Sequence, residues 1–156
     1  MSDHPFAQNL TETCAFFQRS TACFRPEHGS YTPVPGMFTV AHHIAHAALT
    51  VDWFVAGAFS PQGFDLDFAG HDTAARKVTD LEEARQRFAA AFAAAIQRIG
   101  TTSLADLHLP IAAGPIMGSA PRLAIIEGIA DHTAHHRGAL TVYARLLGLV
   151  PAMPYA

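Results

Sequence analysis

The sequence predicts an all-α protein, a four-helix bundle with long loops between its helices. Apolar residues recur at helical spacing in four long segments, and clusters of Gly, Pro, Ser and Asp separate these segments. No stretch of the sequence combines the strand alternation and the turn residues of a β-hairpin. Four long amphipathic helices can bury one common core, so residues 1–156 are expected to form a single domain.

The first two helices are expected over residues 5–24 and from Thr39 to about residues 57–60. Apolar side chains recur every three or four positions in the first, and Thr39 is a suitable N-cap for the second. Residues 61–78 are then expected to form a loop, of a length typical of lids and site edges. This loop contains His71, whose simplest interpretation is an exposed loop histidine.

The third helix is predicted from the capping box Thr79-Asp80-Leu81-Glu82. In this motif the side chains of Thr79 and Glu82 satisfy the first free backbone N–H groups of the helix. The helix is expected to continue through an alanine-rich segment to Ile99, with Gly100 as the residue that ends it.

The fourth helix is expected from Ser119 to Leu147. Pro121 is tolerated in a first turn, and Gly148 is well suited to end the helix. Two histidines interrupt the apolar stripe of this helix, which is otherwise filled by isoleucine and leucine.

The charge balance argues against a nucleic acid partner. The formal net charge is −3 and Lys77 is the only lysine, so the chain has no basic field. The first residues lack the basic segment and apolar run of a signal peptide. Cys14 and Cys23 stand nine residues apart in one predicted helix, too far for a disulfide. We therefore expect a cytoplasmic protein with reduced cysteines.

The apolar segment from Phe38 to Phe59 is long enough to span a membrane. It also contains three histidines and Asp52, and such groups are costly at membrane depth. We therefore expect no membrane partner and a helix buried within the bundle. Together with the alanine-rich third helix, this segment also suggests a homodimer, although packing within one chain explains both features equally well.

Histidines are the first indication of function, because there are ten of them and they are clustered. His132 and His136 stand four residues apart in the core-facing stripe of the fourth predicted helix. Both imidazoles then project from one face, where they can bind the same metal ion. An isolated pair of this kind is also explained as two core histidines hydrogen-bonded to the backbone or to each other. His135 lies about 100° from His136 around the helix and is expected at the rim or in solvent.

The second predicted helix offers a third ligand among His42, His43 and His46. His46 lies at mid-helix on an apolar face, which favours it over His43 and still more over His42. The predicted metal site is therefore His46, His132 and His136. Spacing leaves open whether His43 or His42 joins or replaces His46.

Two segments carry a resemblance to a known family: MFTVAHHIAHAALTVDWFVAGAF in the second helix and DHTAHHRGALTVYARLLGLVPAMPY at the end. The chain resembles the DinB-like (damage-inducible) metal-binding four-helix bundles. In that family one ligand is a helix-two histidine followed by an acidic–aromatic pair, which His46 and Asp52-Trp53 match. The other two ligands are histidines four apart followed by Arg-Gly, which His132, His136 and Arg137-Gly138 match.

The resemblance implies a frequently dimeric protein. Relatives of this fold include thiol S-transferases that act with bacillithiol or glutathione-like cofactors, and a mycothiol-dependent isomerase. A low-molecular-weight thiol is therefore the implied second cofactor, with Arg137 or Arg145 available to hold its carboxylate, although exposed helix charge explains both arginines. Ala139 departs from the family, which often has a polar residue such as glutamine at that position.

Three imidazoles without a thiolate favour zinc (Zn) or nickel (Ni) and leave iron, cobalt and manganese open. Three protein ligands leave a coordination position for a small-molecule ligand, so the leading hypothesis is a metal-dependent enzyme, a thiol transferase or a hydrolase. The alternative is a non-catalytic metal-binding or stress-response module, with a fourth protein ligand such as His43. Asp52, Glu127 and Asp131 are candidates to accept the second N–H of a ligand.

Overall fold

The computed structural model describes residues 4–155 and is all-α, as the sequence predicts. Within that range the chain has no β-strand, only an isolated bridge between Pro110 and Pro121. The described residues form six α-helices, the four long ones that the sequence predicts and two short ones. These are α1 (Pro5–Thr21), α2 (Val40–Phe59), α3 (Phe68–Arg76), α4 (Leu81–Thr101), α5 (Leu104–Leu107) and α6 (Ile125–Leu146).

The four long helices, α1, α2, α4 and α6, pack in a closed ring. α2 contacts α4 and α6, and α1 contacts the same two helices, so the order around the ring is α1, α4, α2, α6. Side chains from all four meet in one core. Phe88 of α4 stacks on Phe17 of α1 at a ring-centroid distance of 4.3 Å, and Phe92 lies 4.7 Å from Phe88.

The start of α2 is set by Thr39, as predicted. The Thr39 hydroxyl accepts a hydrogen bond from the His42 backbone N–H at 3.2 Å, and His42 Nδ1 accepts one from the Thr39 N–H at 3.2 Å. This is a capping box in which histidine takes the usual place of glutamate. The Nδ1 atom of His42 is therefore used to hold the helix end.

The predicted start and end of the third long helix are both wrong by a residue or two. Asp80, not Thr79, is the N-cap of α4, and its carboxylate accepts from the Glu83 N–H at 2.7 Å. A carboxylate is favoured there because it also interacts with the positive end of the helix dipole. Gly100 lies inside the helix, which continues to Thr101.

The segment from residue 61 to 78, predicted as a loop, contains α3. Asp67 caps this helix by accepting from the Gly70 N–H at 2.9 Å, and α3 packs on α2. Nine residues with few apolar side chains leave too weak a periodic pattern to detect in the sequence. The still shorter α5, with four residues, lies between the third and fourth predicted helices.

The first and last long helices are shorter than the sequence predicts. α1 stops at Thr21, so Cys23 lies beyond it, and both cysteines are free thiols as expected. α6 begins at Ile125, after a 3₁₀ turn, and stops at Leu146, where Gly148 follows with a φ of +74°. In the part of the chain that the structure describes, no helix has both the length and the apolar character needed to cross a membrane.

We expect Phe88→Ala to lower the free energy of unfolding by about 3–5 kcal/mol, because a fully buried aromatic ring leaves a cavity. Leu146→Ala is the control, since that side chain is 60% exposed at the end of α6, and it should change stability by less than about 0.5 kcal/mol. Urea unfolding followed by circular dichroism measures both. Equal losses in the two variants would contradict the stacked core.

Candidate metal centre

Three of the ten histidines meet between α2 and α6. His46 of α2 and His132 and His136 of α6 each place one ring nitrogen within 4.8 Å of the others. His136 is buried, and the other two are half-buried. These are the three residues that the sequence predicts as ligands, and the structure brings them together because α2 and α6 are neighbours in the ring. Metal binding by them remains a prediction.

The spacing of the imidazoles fits a shared metal ion. The Nε2 atoms of His132 and His136 lie 3.2 Å apart. Two nitrogens bound to one zinc ion at 2.0–2.1 Å and at a tetrahedral angle would be about 3.3 Å apart. The pair therefore needs almost no rearrangement to become two ligands of one ion.

His46 supplies a second indication that a cation fits here. Its Nδ1 atom is buried and has no hydrogen-bond partner among the described residues. A buried polar nitrogen without a partner costs free energy. An imidazole of this kind, beside two others, is a donor set suited to a divalent transition metal.

Burial also keeps these imidazoles in the form that binds metals. It lowers the pKa of His132 to about 4 and that of His136 to about 2, and the neighbouring imidazoles add to both shifts. Burial lowers the pKa of His46 as well. Neutral histidine has a free lone pair on one ring nitrogen, so all three residues are ready to coordinate a cation at neutral pH.

His43 lies behind the three histidines and contacts one of them. Its Nδ1 atom is 2.8 Å from Nδ1 of His136, and its Nε2 atom is 3.3 Å from the Tyr143 hydroxyl. That hydroxyl donates to the Phe38 carbonyl at 3.1 Å. Burial, followed by the neighbouring His46, lowers the pKa of His43 to about 4. Both ring nitrogens of His43 thus have partners, and the group close enough to hold a metal contains His46 instead.

The carboxylates proposed from the sequence as partners of the ligands do not fill that role. No hydrogen bond joins Asp52, Glu127 or Asp131 to a ligand histidine in the described chain. Asp52 lines a separate depression between α2 and α4, together with Arg87, and Asp131 is exposed. The polar neighbours of the site come from elsewhere in the fold.

A cleft of about 400 Å³ opens beside His46 and His132. α2 and α3 supply its remaining walls: Leu49, Thr50, Trp53, Phe54, Phe68, His71 and Asp72. Asp72 is paired with Arg76 at 2.8 Å, and His71 Nε2 lies 3.2 Å from Asp65 Oδ2. His71, which the sequence allows to approach the site but favours as an exposed loop histidine, thus lines the cleft. Asp72 was missed because the sequence predicts a loop here, although Asp67 is a recognisable N-cap.

Phe38 covers the histidines from the α3 side. Its ring lies 5.4 Å from that of His43 and 5.3 Å from that of His46, measured between centroids. The Arg76 guanidinium lies 4.6 Å from the centroid of the Phe38 ring. α3 is therefore connected to the histidines through a cation–π contact as well as through the cleft.

The two arginines suggested as holders of a thiol carboxylate face away from the cleft. The Arg137 guanidinium lies 5.9 and 5.8 Å from the ring centroids of Phe16 and Tyr155, which contact each other at 5.0 Å. Arg145 donates to the Thr141 carbonyl at 3.0 Å on the exposed side of α6. Neither lines the cleft, so the structure gives no support to that expectation.

We expect the metal-free protein to lose stability as the pH falls. Histidine in an unfolded chain has a pKa of about 6.5, whereas that of buried His136 is lowered to about 2. Below pH 6.5 only the unfolded chain takes up this proton, so the free energy of unfolding falls by up to about 1.4 kcal/mol per pH unit. Urea unfolding with a chelator should give a steeper pH dependence for the parent than for His136→Phe. Equal slopes would contradict the buried neutral imidazole.

The sequence matches a known protein family. The family model described as the DinB superfamily matches residues 9–140, which include all three histidines. No curated protein matches the chain. The match extends over most of the sequence and agrees with the all-α ring of helices. The chain therefore belongs to the DinB superfamily.

Proposed function

We propose that the protein binds one divalent metal ion through His46, His132 and His136 and acts as a metal-dependent enzyme on small molecules. One observation carries the proposal: three imidazoles from two helices converge within 4.8 Å, and a cleft opens beside two of them. Three protein ligands are the usual number in a catalytic site, where one position stays free for water or substrate.

Zinc and nickel are the proposed ions, with iron, cobalt and manganese as alternatives. The donor set supports this choice, because three neutral imidazoles without a thiolate suit borderline divalent metals. Such an ion, when bound, acts as a Lewis acid and lowers the pKa of a water or thiol bound to it.

Thiol transfer is the proposed reaction class, and it rests on the resemblance to thiol S-transferases. In this reaction the chain's own residues would hold the two reactants. The rings of Trp53, Phe54 and Phe68 offer an apolar wall for the non-polar part of an electrophile. No lysine or arginine lines the described cleft, so a thiol with several carboxylates would need to extend beyond it.

The alternative is a non-catalytic metal-binding or stress-response module with a coordinatively saturated ion. It requires a fourth protein ligand. His43 would have to give up one of its two present contacts to supply it. His71 and Asp72, which line the cleft, are the other side chains near enough to consider.

Elemental analysis of the purified protein without an affinity tag tests the metal site. We expect about one metal ion per chain in the parent. His46→Ala, His132→Ala and His136→Ala should each reduce metal content at least tenfold, because each removes one of three ligands. His135→Ala is the matched control, an exposed histidine on the same helix, and should keep its metal. Equal metal content in all variants, or none in the parent, would sink the proposal.

Cobalt substitution separates the enzyme from the saturated module. With an open position, adding a small thiol to the cobalt-loaded protein should produce a sulfur-to-cobalt charge-transfer band. A saturated ion should give none. An enzyme should also conjugate a thiol to an aromatic electrophile, with a KM for the electrophile raised several-fold in Trp53→Ala because the apolar wall is lost. Absence of both the band and turnover would favour the non-catalytic module.

A homodimer is also proposed, and it rests on the family resemblance alone. The apolar second predicted helix (α2) and the alanine-rich third predicted helix (α4), which suggested a dimer in the sequence, pack against each other within one chain. Light scattering after size exclusion should give twice the chain mass of 16.7 kDa. A species at the single-chain mass would contradict the dimer.

A further inference from the structure

A continuous series of contacts connects the metal centre to the backbone at the start of α2. It runs from His136 through His43 and Tyr143 to the Phe38 carbonyl. The Nδ1 atoms of the two histidines are 2.8 Å apart, His43 Nε2 is 3.3 Å from the Tyr143 oxygen, and the Tyr143 hydroxyl is 3.1 Å from the carbonyl oxygen. The proposed three-histidine site of the enzyme uses neither His43 nor Tyr143.

The carbonyl fixes the direction in which protons are donated along this series. A carbonyl oxygen can only accept, so the single proton of Tyr143 must point toward Phe38. The Tyr143 oxygen can then only accept from His43, which must carry a proton on Nε2. Each acceptor in the series thereby determines where the preceding side chain carries its proton.

Counting protons in the same way shows which ring nitrogen of each histidine is protonated. Only one proton fits between two Nδ1 atoms 2.8 Å apart. If His43 supplied it, His136 would carry its own proton on Nε2 and could not coordinate a metal through that atom. If His136 supplies it, Nε2 of His136 is unprotonated, and this is the atom that faces His132 Nε2 at 3.2 Å.

We infer that His43 and Tyr143 are positioning residues, which hold His136 in the tautomer and ring orientation that present its Nε2 lone pair to the metal. The inference rests on the proposed metal site. In many metal sites a carboxylate or carbonyl accepts the second N–H of a ligand histidine directly. Here a neutral imidazole accepts it and passes the constraint to a backbone carbonyl through tyrosine.

Packing keeps the series in place. The Phe38 ring meets His43 edge-on at an interplanar angle of 88°, and Tyr31 meets Tyr143 edge-on at 90°. His43 is only 8% exposed and Tyr143 only 3%. The side chains therefore have few alternative rotamers, and a change in one contact is passed along the series.

Two variants of His43 and one of Tyr143 test the inference. His43→Leu removes both nitrogens, whereas His43→Asn can keep an acceptor oxygen near the position of Nδ1. Tyr143→Phe removes only the hydroxyl, and it is the substitution least able to disturb folding. Circular dichroism and urea unfolding establish that each variant is folded, and His135→Ala serves as the control.

Zinc affinity, measured by chelator competition, is the first readout. Loss of a partner that orients a metal ligand lowers affinity by about 10- to 100-fold in known sites, and we expect a loss in that range for His43→Leu. His43→Asn should recover most of the lost affinity. Tyr143→Phe should bind zinc several-fold more weakly, because without the tyrosine hydroxyl His43 can carry its proton on Nδ1 instead of Nε2. Parental affinity in both His43→Leu and Tyr143→Phe would overturn the inference.

Nitrogen-15 NMR of the histidine rings in the metal-free protein is the second readout. We expect the proton of His136 on Nδ1 and that of His43 on Nε2. A proton on Nε2 of His136 would overturn the inference whatever the affinities. A parent protein that binds no metal would instead contradict the proposed function. The NMR assignment would still establish which atom donates in each hydrogen bond of the series.

Discussion

The contact between α2 and α6 is the constraint on which the rest of the site depends. These helices are neighbours in the ring, and their interface accommodates four imidazoles where apolar side chains would otherwise pack. Buried polar rings stabilise a fold only when their nitrogens have partners. The two helices must therefore meet at one relative rotation and height.

Helix geometry made two of the three candidate ligands predictable. Two histidines four residues apart on an apolar stripe must share a face, so His132 and His136 follow from the sequence alone. The third ligand was harder to choose, because His43 and His46 differ by only about 60° around α2. Whether His43 or His46 faces the histidine pair of α6 depends on how α2 is rotated against α6. This rotation is a property of the packed molecule.

The parts that escaped prediction depend on weak or distant signals. α3 has few apolar residues, so its fold is specified by a cap and by packing on α2 more than by its own periodicity. The hydrogen-bond series behind His136 ends on the backbone of Phe38, and a carbonyl has no signature in a sequence. The carboxylates expected near the ligands, Asp52, Glu127 and Asp131, lie on α2 and α6, yet the carboxylate in the cleft wall, Asp72, lies on α3.

The division of the cleft between two kinds of helix has a consequence for how its shape can change. The three candidate ligands belong to the ring of long helices, where a change in one side chain disturbs a shared core. The opposite wall comes from α3, a nine-residue helix outside that ring, with its own N-cap at Asp67. In the proposed enzyme, substitutions in α3 can therefore alter the shape of the cleft, and with it the choice of small molecule, without repacking the core of the four long helices.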